Sequence, residues 1–467
     1  MMWPRWLRRP SKPAVRIGAR RALDHMRAEY DAAATGRHNQ NHWANADGNS
    51  PNAAASPTVR AELRKRSRYE LLESNSFGLG IVRTLATDLV ASTGPRLTVA
   101  GPDPIANQAI ETQWQKWAKA IKLPAKLTTM RQAKIVDGEA VALRVNNPRL
   151  FPVQLDIRLL ECDHLANPNG QFENTRLVDG IELDEIGEPL RYHLLDDHPG
   201  SDNVFNFTAA GNWHAAGDVI HWYREDRPGQ RRGIPEMVAA LSLFAQLRRY
   251  TLATVAAAEV ASDFAAIVYT DSPAFDPADM DDFESVPIEA RTMTTLPYGW
   301  KISQLKPEQP STQYPAFVRQ LMTEIVRGVS MPLNKALGDS SGSSFSSGRL
   351  DHHIYHSAID AERQSAEADI FNRLLVWWFD EASLVPGHLP AISAQYLDHA
   401  RWVWPAHPQI DESKSAAAAA TLHDRGLISD EGYWISRGQD PAAQYEALSR
   451  QREHRQAEAE QTEESEI

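Results

Sequence analysis

One cysteine, Cys162, stands in 467 residues. A single thiol excludes an intramolecular disulfide and a multi-cysteine zinc site, and it fits a reducing compartment. Long apolar runs are also missing. The strongest, Leu252–Ala258, is stopped by Glu259, far short of the ~20 residues a membrane helix needs, so no membrane partner is expected. The N-terminus is basic (Arg5, Arg8, Arg9, Lys12, Arg16, Arg20, Arg21), but no apolar segment follows it, and it does not read as a secretory signal. A positive excess is lacking too: the net charge is −12. That argues against an ordinary duplex-DNA binder with a basic face. It leaves room for a wall that DNA slides past, because phosphate contacts supply most non-specific affinity.

Catalytic signatures are absent as well. No Gly-rich phosphate loop ends in Gly-Lys-Ser/Thr, no Gly-x-Ser-x-Gly elbow occurs, and Asp281-Asp282 sit in an acidic stretch without a partner. No catalytic residue or cofactor follows from this. His352 and His356 have the i, i+4 spacing with which a helix presents two imidazoles to a metal, with His353 beside them. The Glu a zinc-protease signature needs is not there, and no metal ligands are assigned.

What is present is a soluble globular composition, 42% apolar and 24% charged, long enough for two or three domains. The most distinctive stretch is Ser330–Leu350, with seven serines and Gly338, Gly342 and Gly348. It lies between two amphipathic segments, Thr312–Val329 and Asp351–Glu381. Small polar residues bury little apolar surface, so it reads as an exposed loop, either a contact element or a plain linker.

Residues 1–59 read as an extended arm. Arg60–Ser92 reads as helical through Leu63, Leu71, Leu72, Ile81, Leu85 and Leu89, with a break at Asn75 and Gly78. Ile105–Ala120 is a helix anchored by Trp114 and Trp117. Asp137-Gly138 is a turn into a strand at Glu139–Asn146, and 150–223 is β-rich, with a turn at Asn167–Gly170. A long helix is expected over Pro235–Ser262, alanine-rich in its second half and suited to side-by-side packing. Residues 263–310 hold nine acidic residues against three basic, a local net charge of −6. Gln395–Trp404 reads as a strand, Glu412–Gly426 and Ser429–Gly438 as helices, and a last helix frays into the tail at Gln456–Ile467.

Several segments, in order, resemble the lambda-type family of tailed-bacteriophage portal proteins. They are Arg64–Asn75 (RKRSRYELLESN), the helix Ile81–Leu97 with its VASTGPRL end, Val136–Ala140 (VDGEA), Leu159–Pro168 (LLECDHLANP), Gly180–His193, Asp218–Pro235 (DVIHWYREDRPGQRRGIP), Val329–Arg349 and Trp404–Gly438. The resemblance covers about residues 60–440. It implies an α+β fold: a mainly helical subunit with a β-containing wing and a small mixed α/β clip, assembling as a ring, usually dodecameric. By order it implies a wing at 60–233, a stem helix at 234–262, the clip at 263–310 and a second stem helix at 311–329. A tunnel loop at 330–348, a long wing helix and return strand at 349–404, and crown-like helices with an acidic tail at 405–467 follow.

The resemblance further implies a non-enzymatic channel for packaging and ejecting double-stranded DNA at one capsid vertex, in the virion and, during assembly, the host cytoplasm. Its partners would be copies of itself, the terminase large subunit, major capsid and scaffold proteins, and head-completion or connector proteins. Lys335, Asp339, Ser340, Ser341, Ser343 and Ser344 would meet DNA, and Asp279, Asp281, Asp282 and Glu284 would dock the motor. Two other readings stay open: a metal-dependent nuclease built on the three histidines with Asp351, and a non-ring scaffold or adaptor.

Overall fold

The computed structural model describes residues 40–91, 93–168, 176–201, 210–263, 267–270, 300–303, 313–342, 344–408, 412–439 and 441–465. The arm before residue 40, the Asn169-Gly170 turn, most of the acidic 263–310 segment, and Ser343 lie outside these residues. The chain divides into two units, Met1–Ala54 and Ala55–Ile467. In the first, the described residues form one helical turn, Pro51–Ala54. The second unit holds everything below.

Helix α1, Pro57–Arg68, runs into a π-helical turn at Tyr69–Glu73. Asn75 then caps α2, Ser76–Val90, accepting from Phe77 N at 3.0 Å, so the expected break lies at Asn75. Gly78 sits inside α2, where a Cβ would come within 2.6 Å of the Glu70 carbonyl oxygen. The buried face of α1 departs from the expectation. Arg60 and Arg64 are buried, while Leu72 in the following turn is exposed. Strand β1 (Arg96–Val99), α3 (Pro104–Ala120) and α4 (Leu123–Asp137) follow. Trp114 and Trp117 are buried core anchors, and Trp117 Nε1 donates to the Leu155 carbonyl at 2.9 Å.

Gly138 turns α4 into β2, Glu139–Asn146. Strand β2 is central between β3 (Leu155–Leu160) and β8 (Val219–Tyr223), antiparallel to both, with Ala142 opposite Leu159 and Ile220. Because side chains alternate along a strand, Ala140 and Ala142 face the main helical core while Val141 faces a second cluster with Cys162, Ile181 and Tyr192. That second cluster lies on a four-stranded antiparallel sheet of β4 (Leu177–Val178), β5 (Ile181–Leu183), β6 (Pro189–Leu195) and β7 (Gly211–Ala215). The β-rich reading of 150–223 therefore matches the fold.

Helix α5 is Leu241–Asp263, preceded by a 3-10 turn at Val238–Ala240. It starts later than Pro235 because the residues before it are tied elsewhere: Glu236 N donates to the Ile135 carbonyl and the Glu236 carboxylate pairs with Arg131. Strands β9 (Ile267–Thr270) and β10 (Trp300–Ser303) pair antiparallel. Helix α6, Tyr314–Arg327, packs on α5, with Tyr250 stacked on Tyr314 at 5.5 Å and tilted against Phe317 at 4.6 Å.

The segment expected as a loop at 330–348 is shorter than read. Pro332 leads into α7, Leu333–Leu337, which Gly338 closes at φ +65. Ser344 opens α8, Phe345–Ala366, through a reciprocal capping box with Ser347. Serines read as loop material are here helix-starting residues. Helix α8 continues through a π-helical turn, Glu367–Phe371, into α9, Asn372–Ala382. The strand expected at Gln395–Trp404 is a 3-10 turn, Ala394–His399, followed by β11, Ala400–Val403, which pairs with β1. Helices α10 (Glu412–Asp424), α11 (Asp430–Ser436) and α12 (Pro441–Ser465) end the described chain, and α12 runs through most of the segment expected to fray. The architecture is α+β, mainly helical with small antiparallel sheets.

Candidate functional site

Arg60, Arg64 and Arg68 lie four residues apart and so share one face of α1. That face meets the carboxylates of the β-rich layer. Arg60 pairs with Asp179 at 2.6 Å and Arg64 with Asp163 at 2.6 Å, while Arg68 pairs with Asp137 and Asp163, each at 2.7 Å. At the centre stands Arg232, whose side chain is wholly buried. It binds Glu139 at 2.6 Å and Asp179 at 2.7 Å, and donates to the carbonyls of Cys162 and Leu165. Glu139 also accepts from Gly233 N at 3.0 Å and lies 2.9 Å from His221 Nε2.

Four guanidinium groups thus face five carboxylates, the fifth being Glu161 at 3.4 Å from Arg68. Burial opposes charge on Glu139, yet Arg232 and the His221 hydrogen bond hold its carboxyl well below the ordinary range. Burial likewise opposes charge on Arg232, and Glu139 and Asp179 raise it above its usual value. Each guanidinium in this network already faces at least one carboxylate. The network is a junction: RKRSRYE, VDGEA, ECDHL and RRGIP each contribute side chains to it. Cys162 beside it is buried and its thiol pushed far up by burial, which keeps it protonated and unreactive.

A second buried set joins α4, the approach to α5, and α8. Arg131 binds Glu236 at 2.9 Å, and Lys134 binds Glu362 at 2.7 Å with its ammonium 4.4 Å from the Trp222 ring. Trp222 Nε1 donates to Ser365 Oγ at 2.9 Å. The sheet and the long helix are thereby locked together.

The residues expected to meet DNA are only partly gathered. Lys335 on α7 is ion-paired with Asp88 of α2, and its ammonium sits 4.8 Å from the Tyr355 ring. Tyr355 donates to the same Asp88 oxygen at 2.7 Å. Lys335 is therefore not the free cation the sequence suggested. Asp339, Ser340 and Ser341 are exposed on the turn after α7, with Asp339 accepting from Ser341 N at 2.9 Å. Ser344 is occupied as the helix cap. Ser343 and the four expected docking carboxylates, Asp279, Asp281, Asp282 and Glu284, lie outside the described residues.

The histidines take different surroundings. His356 stacks face to face on His407 with 4.0 Å between ring centroids, and His407 pairs with Asp360 at 2.8 Å. Burial, then the neighbouring His407 and His352, push His356 down to about 4. His353 is exposed on the helix. Among the described residues, the group with ligand atoms close enough to share a metal is Glu161, Asp163 and His198 instead. Both Asp163 oxygens there already hold guanidinium groups.

The buried junction escaped the sequence reading, which sought an apolar face on α1. Its signal was there: three arginines at i, i+4 and i+8 share one face of the helix and can meet a row of carboxylates together.

A family model described as the phage portal protein, lambda family, matches residues 36–363, more than two thirds of the chain. A curated relative, the probable portal protein of Halomonas phage phiHAP-1, is 26% identical over 421 residues, covering 83% of this chain and 79% of the relative. Two solved structures are similar at 12% and 14% identity. One is from the virion of a native gene transfer agent particle, covering 81% of this chain and 94% of that one, with TM-score 0.46. The other is from the neck of such a particle computed with C12 symmetry, covering 83% and 95%, also at 0.46.

Proposed function

The chain belongs to the lambda family of phage portal proteins, and from that premise we propose that it forms a non-enzymatic homo-oligomeric ring, dodecameric, at one capsid vertex. Double-stranded DNA would pass through the ring during packaging and ejection. The observation that carries this reading is the family match across residues 36–363. The described fold supports it, because separated family-like motifs supply one buried junction. The nuclease reading gains nothing from the structure: two of its three histidines stack with or lie beside other imidazoles, and no described carboxylate joins them as a metal group.

In this reading the exposed turn after α7 contacts DNA in passing. Asp339, Ser340 and Ser341 offer a small surface with one negative charge, Ser344 closes it, and Lys335 reaches a phosphate only by leaving Asp88. Hydroxyl contacts of this kind position a duplex without reading its sequence, and a single lysine per chain gives weak, salt-sensitive contact. The helix boundaries confine a clean deletion to residues 339–343. Rings lacking them should keep normal mass while DNA packaging or retention drops. Packaging and retention equal to wild type would leave the turn a plain connector.

The acidic segment 263–310 would dock the terminase large subunit and, later, head-completion proteins, while the outer wing would meet capsid and scaffold proteins. Complementary charge acts mainly on association rate and specificity. Neutralising Asp279, Asp281, Asp282 and Glu284 together should therefore slow motor binding, most at low salt. Binding rates unchanged at both low and physiological salt would mark the segment as solvated surface only.

A further inference from the structure

The exposed turn after α7 has a cation beside it that the order of the chain hides. Arg319 lies on α6. A Cβ on Gly342 would lie 2.6 Å from Arg319 Nη2 and 3.1 Å from its Cζ. The guanidinium therefore rests against the bare backbone of the turn, in the space a side chain would take. Arg319 is half-buried, and among the described residues it makes no ion pair. Asp339 stands on the same turn, but its carboxylate is taken up locally, accepting from Ser341 N at 2.9 Å. The Ser341 hydrogen bonds first, and then the Arg319 charge, hold the Asp339 carboxyl below its ordinary value. Arg319 is thus within electrostatic reach of the acid on the turn without pairing with it.

Lys335 is placed differently. Its ammonium is held by Asp88 and lies over the Tyr355 ring. Of these two cations, Arg319 is the one with donors to spare. A guanidinium presents a planar fork of N–H groups that matches two oxygens of one phosphate. Ser340 and Ser341 are exposed beside it, and their hydroxyls can donate to phosphate oxygens as well.

We propose that Arg319 is a phosphate-contacting group of this turn, its guanidinium donating to the DNA backbone with the Ser340 and Ser341 hydroxyls beside it. This rests on the reading that the turn meets DNA and names a residue on another helix that makes the contact. Asp339 opposes the contact and keeps it weak, so a duplex is touched without being gripped.

A short labelled DNA duplex, titrated against purified rings of checked mass over a range of salt, tests this. Arg319→Gln should weaken binding and lower the slope of log affinity against log salt by at least about 0.9, the share of one phosphate contact. Arg319→Lys, which keeps the charge, should keep most of the slope. Asp339→Asn should tighten binding, a gain that a merely structural role for Arg319 would not produce. A second measurement needs no variant: on the wild-type ring, duplex DNA should slow phenylglyoxal modification of Arg319 severalfold and leave the exposed Arg149 of the wing unchanged. An Arg319→Gln ring with the wild-type salt slope overturns the inference. So does an Arg319→Lys ring that loses as much slope as Arg319→Gln, an Asp339→Asn ring that binds no tighter than wild type, or Arg319 modified equally fast with and without duplex. In each case a wild-type ring that binds duplex leaves the DNA reading standing. A wild-type ring that binds no duplex even at low salt, or a chain that forms no ring, overturns both.

Discussion

Replacing Arg232 with Met should destabilise the chain by about 3–5 kcal/mol, the cost of leaving a buried charge without its partner. Glu139 is wholly buried and Asp179 nearly so. Without the guanidinium Glu139 loses its closest cation and keeps Arg64 at 4.0 Å, His221 and the Gly233 N–H, Asp179 keeps Arg60, and the carbonyls of Cys162, Leu165 and Asp179 lose a donor. The volume of methionine fills the space and supplies none of these bonds. A denaturant midpoint measured beside wild type checks this, and a loss under 1 kcal/mol would contradict it. This junction and the second buried set together set an acid limit. Glu139, Glu236 and Asp163 are held below their ordinary values. Groups with depressed folded values stabilise above the unfolded value and lose that contribution as pH falls through the folded one. Asp137, Glu367 and Asp369, pushed up mainly by burial, work in the opposite sense. Glu139, held well below its ordinary value, is the most strongly shifted of these groups, so stability should fall as pH drops below about 4.5, the ordinary glutamate value.

Gly138→Ala should cost at least about 4 kcal/mol, among the largest effects a single substitution produces. Gly138 has φ +91, and a Cβ there would lie 2.2 Å from the Ile234 carbonyl carbon. The crossing is reciprocal: a Cβ on Gly233 would lie 2.1 Å from the Gly138 carbonyl oxygen. Backbone meets backbone, so no side chain can swing aside. The control is Gly387→Ala. Its φ is +72 with nothing within 4 Å, so it should cost only the left-handed penalty of about 1–2 kcal/mol. Equal losses for the two variants would show that the Gly138–Ile234 contact relaxes freely. The close approach also explains two glycines the motifs VDGEA and RRGIP share without any chemical role: they let the turn into β2 lie directly on the approach to α5.

The strand at Glu139–Asn146 was legible to the residue, because the Asp137-Gly138 turn marks where it begins. Asn75 marked the break between α1 and α2 because its side chain can cap a helix. The start of α8 was missed for a local reason. Its capping box is Ser344 with Ser347, where the recognisable form carries Glu or Gln at the second position. The start of α5 was placed too early, at Pro235, because the pull of Arg131 on Glu236 is a tertiary effect with no local trace. Lys335 was legible as the only basic residue between Ser330 and Gly348, but its partner Asp88 lies 247 positions away. The arginine face of α1 was written in the spacing and passed over, since apolar periodicity cannot report a face buried by ion pairs.

The ring is the claim on which the DNA channel, the docking roles and the Arg319 contact all depend. Its most direct test is the native mass of the purified chain by size-exclusion with light scattering, over a range of concentrations, with and without DNA. The account predicts a closed species of about twelve chains, consistent with a head-to-tail cyclic assembly. A mass that stays at one chain under every condition would contradict it.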